Sequence, residues 1–96
     1  MGAAAFADIA ATFCDQITQI VGRFQAAAAS GDVPVATHLA HELIGLAGTM
    51  GAPRLSSLAR QAMAFCRNQQ PEALAAMAGT IEQTGADTLA AFRAYA

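Results

Sequence analysis

Large apolar residues recur at steps of three and four along almost the whole chain, and the pattern breaks only where glycine or proline falls. A helix turns about 100° per residue, so that spacing lines one face of a helix and leaves no room for the alternation of a strand. The first run is Phe6, Ile9, Phe13, Ile17, Ile20 or Val21, and Phe24, which predicts a helix over about 3–29. Ser30-Gly31-Asp32 ends it, with Gly31 suited to a C-terminal cap and Asp32 to the N-cap of the next helix. Pro34 fits the first turn of that next helix, where a missing N–H costs nothing.

The second helix is expected over about 33–50, with an inner stripe of Val35, Leu39, Leu43, Leu46 and Met50, and Gly51 as its stop. Pro53 opens a third helix to about residue 68, with Leu55, Leu58, Ala62 and Phe65 inward. Pro71 opens a fourth, about 71–95, with Glu72 favourably placed in its first turn. Its stripe of Leu74, Met77, Ile81, Thr84, Thr88 or Leu89, Phe92 and Tyr95 is the least apolar, and Gly85-Ala86-Asp87 marks a place to bend. Four amphipathic helices joined by short links predict an all-α, antiparallel up-down four-helix bundle in a single domain spanning residues 1–96. Apolar residues make up 55% of the chain, but many are alanine, which favours helix and adds little core volume.

Composition excludes several functions. The net charge of −2 provides no basic footprint for nucleic acid. No run reaches the roughly 18 apolar residues of a membrane span. The start, MGAAAFADIA, has no basic n-region, which argues against a signal peptide and for a cytoplasmic protein. Cys14 and Cys66 fall at apolar helical positions and read as buried, reduced thiols. No phosphate-binding glycine loop, nucleophile elbow or paired carboxylate site appears, so no autonomous kinase is expected.

The informative stretch is AHELIGLAGTMGAPRL, residues 40–55. Gly45 and Gly48 lie within roughly 40° of His41 on the second helix, while Leu39, Leu43, Leu46 and Met50 point away. The segment therefore offers an imidazole, cleared of bulky neighbours, on the face opposite the core. Thr37, His38 and Ile44 flank it. His38 reads as a rim or solvated residue and Glu42 as a solvated charge. HLAHE fits neither helical zinc order, so no metal site is expected.

His41, Leu43, Gly45, Gly51, Ala52 and Leu55 resemble the signature of histidine phosphotransfer (HPt) domains. The resemblance implies a four-helix bundle with an exposed phosphoacceptor histidine, here His41. Such a domain takes a phosphoryl group from an aspartate of a receiver domain, on a response regulator or hybrid kinase, and passes it to another receiver. It implies no cofactor on this chain, because the Mg²⁺ belongs to the receiver. The chain departs from the family pattern twice. Ile44 stands where a lysine is usual, and Met63 where many members place a polar residue that holds the ring. Gln61, Arg60 and Arg67 are the candidates to contact the ring or the phosphate instead, and Ile44 becomes an apolar docking contact beside Thr37 and His38. The expected protein is a monomeric phosphocarrier without kinase activity. The alternatives are an HPt-like adaptor that binds a receiver or kinase without phosphorylation, and the detached histidine-bearing domain of a chemotaxis-type kinase.

Overall fold

A computed structural model describes the backbone of residues 3–95 and the side chains of residues 8, 9 and 11–94. It contains four helices, α1 (Ala3–Ser30), α2 (Val33–Met50), α3 (Pro53–Arg67) and α4 (Pro71–Tyr95), and no strand among the described residues. Each helix packs on its neighbour in sequence, and α1 closes the ring against α4. The result is an all-α rod of 46 × 19 × 18 Å.

The helix ends follow from local chemistry. At the α1 terminus Gly31 adopts φ 71°, and the N–H groups of Gly31 and Asp32 donate to the carbonyls of Ala28 (3.3 Å) and Ala27 (2.9 Å). This pair of bonds satisfies carbonyls that the helix itself leaves unpaired. Gly51, at φ 70°, repeats the arrangement, with Gly51 donating to Gly48 and Ala52 to Ala47. At the α3 end the same two bonds form from Gln69 and Gln70, but the left-handed residue is Gln69, at φ 53°. The Asp32 carboxylate accepts from the Val35 N–H at 3.3 Å and caps α2. Pro53 occupies the first turn of α3.

Phe24, Ile17, Leu39, Leu43, Leu55, Leu74 and Ile81 form the largest fully buried side chains. Between them the interior is made of small residues. Ala36, Ala40 and Ala47 of α2 and Ala59 and Ala62 of α3 have no exposure. This corrects the expected stripes. Ile9 is 45% exposed and Val35 41% exposed, and Leu46, Met50, Leu58 and Phe65 only border the core. In a closed ring each helix meets two neighbours, so its buried arc is wide, and alanines fill part of it. The expected inward positions of Phe6 and Tyr95 lie outside the described side chains.

On the far side from α2 and α3, Gln25 Nε2 donates to the Ala78 carbonyl (3.0 Å) and to Glu82 (2.7 Å), pinning α1 to α4. Gly85 does not interrupt α4. It is buried, and a Cβ there would stand 3.4 Å from Val21 Cγ2, so the glycine serves close approach of α1 and α4. Among the described residues no helix is long and apolar enough to cross a membrane.

Candidate functional site

Leu39 and Leu43 are fully buried, and they fix the rotation of α2. With those two inward, His41, between them in sequence, is turned to solvent at mid-helix. One and two turns further on, Gly45 and Gly48 are also exposed. A Cβ at either glycine would meet no atom within 4 Å. Neither glycine is therefore required by packing inside the chain. Each nevertheless weakens the helix by about 0.5–1 kcal/mol relative to alanine. The space they leave faces outward, beside the ring.

The ring has no hydrogen-bond or ion-pair partner among the described residues. Gln61, Arg60 and Arg67 on α3 are exposed, and none of them bonds to it. Met63 is half-buried against the core. Arg67 lies in the last turn of α3, where it shares a cavity with Thr37, Cys66 and Gln69. Thr37 is half-buried, and its hydroxyl donates to the Val33 carbonyl at 2.8 Å. Ile44 is half-buried and packs on the core edge while still bordering the open face.

Two features were absent from the sequence reading. His38 Nε2 and Glu42 Oε1 are 2.6 Å apart, with side-chain exposures of 71% and 39%. The spacing of four residues on one helix is the signal that would have found this pair. The second is a groove of about 480 Å³ between α1 and α2, lined by Gln16, Gln19 and Arg23 on one side and by Glu42, Gly45 and Thr49 on the other. Helical phase within α2 says nothing of α1, so this needed the register set by the Gly31-Asp32 turn. Cys14 and Cys66 are buried and unbonded to each other. Among the described residues no three His, Cys, Asp or Glu side chains gather as a metal site would need.

Comparison with known proteins gives one decisive result. A family model described as Hpt domain matches residues 8–94, nearly the whole chain. The chain belongs to the Hpt domain family. No curated protein and no solved structure matches it. An Hpt domain works in histidine phosphotransfer within two-component signalling, alongside receiver domains and histidine kinases, and is a phosphocarrier and not an enzyme. The matched span includes His41, both outward glycines and the groove that Gly45 lines.

Proposed function

We propose that this Hpt domain is a monomeric, single-domain cytoplasmic carrier whose phosphoacceptor is His41. It accepts a phosphoryl group from a receiver aspartate, on a response regulator or hybrid kinase, and delivers it to another receiver. The observation that carries this reading is the exposed, unbonded His41 ring at mid-helix, with open space over Gly45 and Gly48.

The chemistry asks for positioning more than for reactive groups. A ring nitrogen of neutral His41 offers its lone pair to phosphorus. The P–N bond forms as the P–O bond to the receiver's aspartate breaks, and the carboxylate leaves with the bonding electrons. The other ring nitrogen keeps its hydrogen, so the ring becomes a cation and no base is consumed. Mg²⁺ and the acidic residues that hold it belong to the receiver, so this chain requires no cofactor of its own. Ile44, Thr37 and His38 form the docking rim, with Ile44 supplying an apolar contact to the receiver.

The test is incubation with a phosphorylated receiver, followed by a search for acid-labile, base-stable label on this chain. The expected result is label on the wild type and none on His41→Gln. Label that survives the substitution refutes His41 as acceptor. A chain that binds the receiver, takes no label, and binds equally well as His41→Gln is an adaptor.

A further inference from the structure

A phosphoryl group on His41 brings about two negative charges, less whatever positive charge its own ring retains, to a helix that already carries the Glu42 carboxylate. Helix α2 has no lysine or arginine, and the one side chain on it besides His41 that can become a cation is His38. We propose that His38 takes up a proton when His41 is phosphorylated, and that its charge steadies the phosphoryl group, so that this carrier holds its cargo more strongly as pH falls. This rests on His41 as the phosphoryl site.

The helix itself sets the two histidines side by side. Residues three apart on a helix have Cβ atoms about 5–6 Å from each other. Helical side chains also lean toward the N-terminus, so the surface that His41 covers lies over the turn below it, the turn that carries His38. Glu42 then fixes where the His38 ring stands, with His38 Nε2 2.6 Å from Glu42 Oε1. His38 leaves the helix about 4.5 Å before His41 and Glu42 about 1.5 Å after it, so the bond between them passes the height of His41. The two lie about 60° and 100° round from His41, on the same flank.

The helices that pack along α2 are α1 and α3. From α1, Arg23 borders Glu42 in one groove and Asp32 in a second cavity. From α3, Arg67 shares a cavity with Thr37, and Arg60 is exposed two turns before it. None of these is bonded to His38 among the described residues. Their charges are the same before and after phosphorylation, so they move the His38 titration equally in both states. Only the charge at His41 changes. Without a phosphoryl group His41 is a second histidine, and two cationic rings one turn apart repel. With it the neighbour carries an anion, which favours the charged form of a histidine.

The proton comes from solvent and returns to it when the phosphoryl group leaves. Proton and phosphoryl group each raise the affinity for the other by the same factor. The added hold is complete below the titration midpoint of His38 in the unphosphorylated chain, and it disappears as pH rises through the midpoint in the phosphorylated one. A histidine suits this role because its ordinary titration, at about pH 6.5, lies close to neutrality.

The test uses phosphoramidate, which transfers its phosphoryl group to exposed histidines with loss of ammonia and needs no receiver. The ³¹P resonance that disappears in His41→Gln marks phosphorylated His41. The ring proton resonances of His38 are then followed against pH at low salt, with and without that group. One or two negative charges about 7 Å away in water raise the midpoint by about half a unit to one pH unit. Wild type should show that rise, and phosphoramidate-treated His41→Gln should show none. In transfer from a phosphorylated receiver, the equilibrium constant at about pH 6 should favour wild type over His38→Gln by about three- to ten-fold, and above about pH 8 the two should converge. A His38 midpoint that does not move on phosphorylation overturns the proposal, as does a His38→Gln variant whose transfer equilibrium parallels wild type at every pH. Label lost in His38→Gln instead of His41→Gln makes His38 the acceptor and overturns both readings. A His41 that takes no phosphoryl group from phosphoramidate removes the carrier reading and this inference together. A chain labelled by phosphoramidate but never by a receiver refutes the relay alone, and the titration then decides the His38 assignment by itself.

Discussion

Replacing Gly45 and Gly48 by alanine separates what the fold needs from what a partner needs. Gly45 is in the interior of α2 and Gly48 in its last turn, and an added methyl at either meets nothing within 4 Å. Each substitution therefore removes the backbone entropy cost of glycine with no clash to offset it, a gain of about 0.5–1 kcal/mol. The double variant should gain roughly 1–2 kcal/mol, which for a domain of this size raises Tm by on the order of 10 °C. Transfer should move the other way. Two methyls standing beside His41 intrude on a docked receiver, and overpacking of a fitted interface costs about 1–3 kcal/mol. That corresponds to an approximately 5- to 150-fold slower transfer. The assays are thermal unfolding by circular dichroism and single-turnover transfer from a phosphorylated receiver. A double variant that unfolds earlier than wild type refutes the claim that the space is external. A stabilised variant with undiminished transfer refutes the claim that a partner uses it.

The glycine that caps α2 behaves oppositely: Gly51 holds φ 70°, so Gly51→Ala should destabilise the domain by about 1 kcal/mol, read as a fall in Tm. Gln69 carries the same left-handed backbone without glycine's tolerance, and Gln69→Gly should raise stability by about 0.5–1 kcal/mol in urea unfolding. Leu43 is fully buried directly beneath the His41 face, and Leu43→Ala should cost about 2–5 kcal/mol, measured by the same unfolding. Ile44→Lys places a cation on the flank of His41 and should slow loss of label about two- to five-fold, by roughly 0.5–1 kcal/mol of screened attraction; an unchanged lifetime assigns Ile44 to docking alone.

The all-α bundle was legible because a change of apolar face coincided with turn or start residues at each junction. The apolar period changes face at Gly31, Gly51 and the segment before Pro71, and Asp32 and Pro53 supply the starts. The centre of the core was less legible. Periodicity weighs large residues, whereas the most enclosed positions of α2 include Ala36, Ala40 and Ala47, and alanine occurs on every face of this chain. Val35 keeps the right phase but sits in the first turn of α2, where it borders an open cavity with Arg23 and Ser30. The exposed positions of His41, Gly45 and Gly48 could be read from the phase of a single helix. The left-handed Gln69 could not, because nothing in its side chain announces a positive φ. Nor could the Arg23 groove, which exists only once α1 and α2 are set side by side.

The distribution of bonds around the rod indicates which side is free to receive a partner. On the α1–α4 side, Gln25 reaches across to Ala78 and Glu82, and Gly85 lets Val21 come close, so both polar and apolar contacts tie those helices together. Along α2 the hydroxyls of Thr37 and Thr49 turn back to their own helix, bonding the carbonyls of Val33 and Gly45. Glu42 and His38 engage each other on the same helix. The polar groups that surround His41 are thus satisfied locally, while the ring itself is left without a partner. A receiver docking here would break no bond between helices to reach the imidazole. It would need to displace little more than water and the exposed His38–Glu42 pair, which is worth only a fraction of a kcal/mol to about 1 kcal/mol. Such a face can bind and release repeatedly without loosening the bundle beneath it, which is what a carrier between two receivers requires.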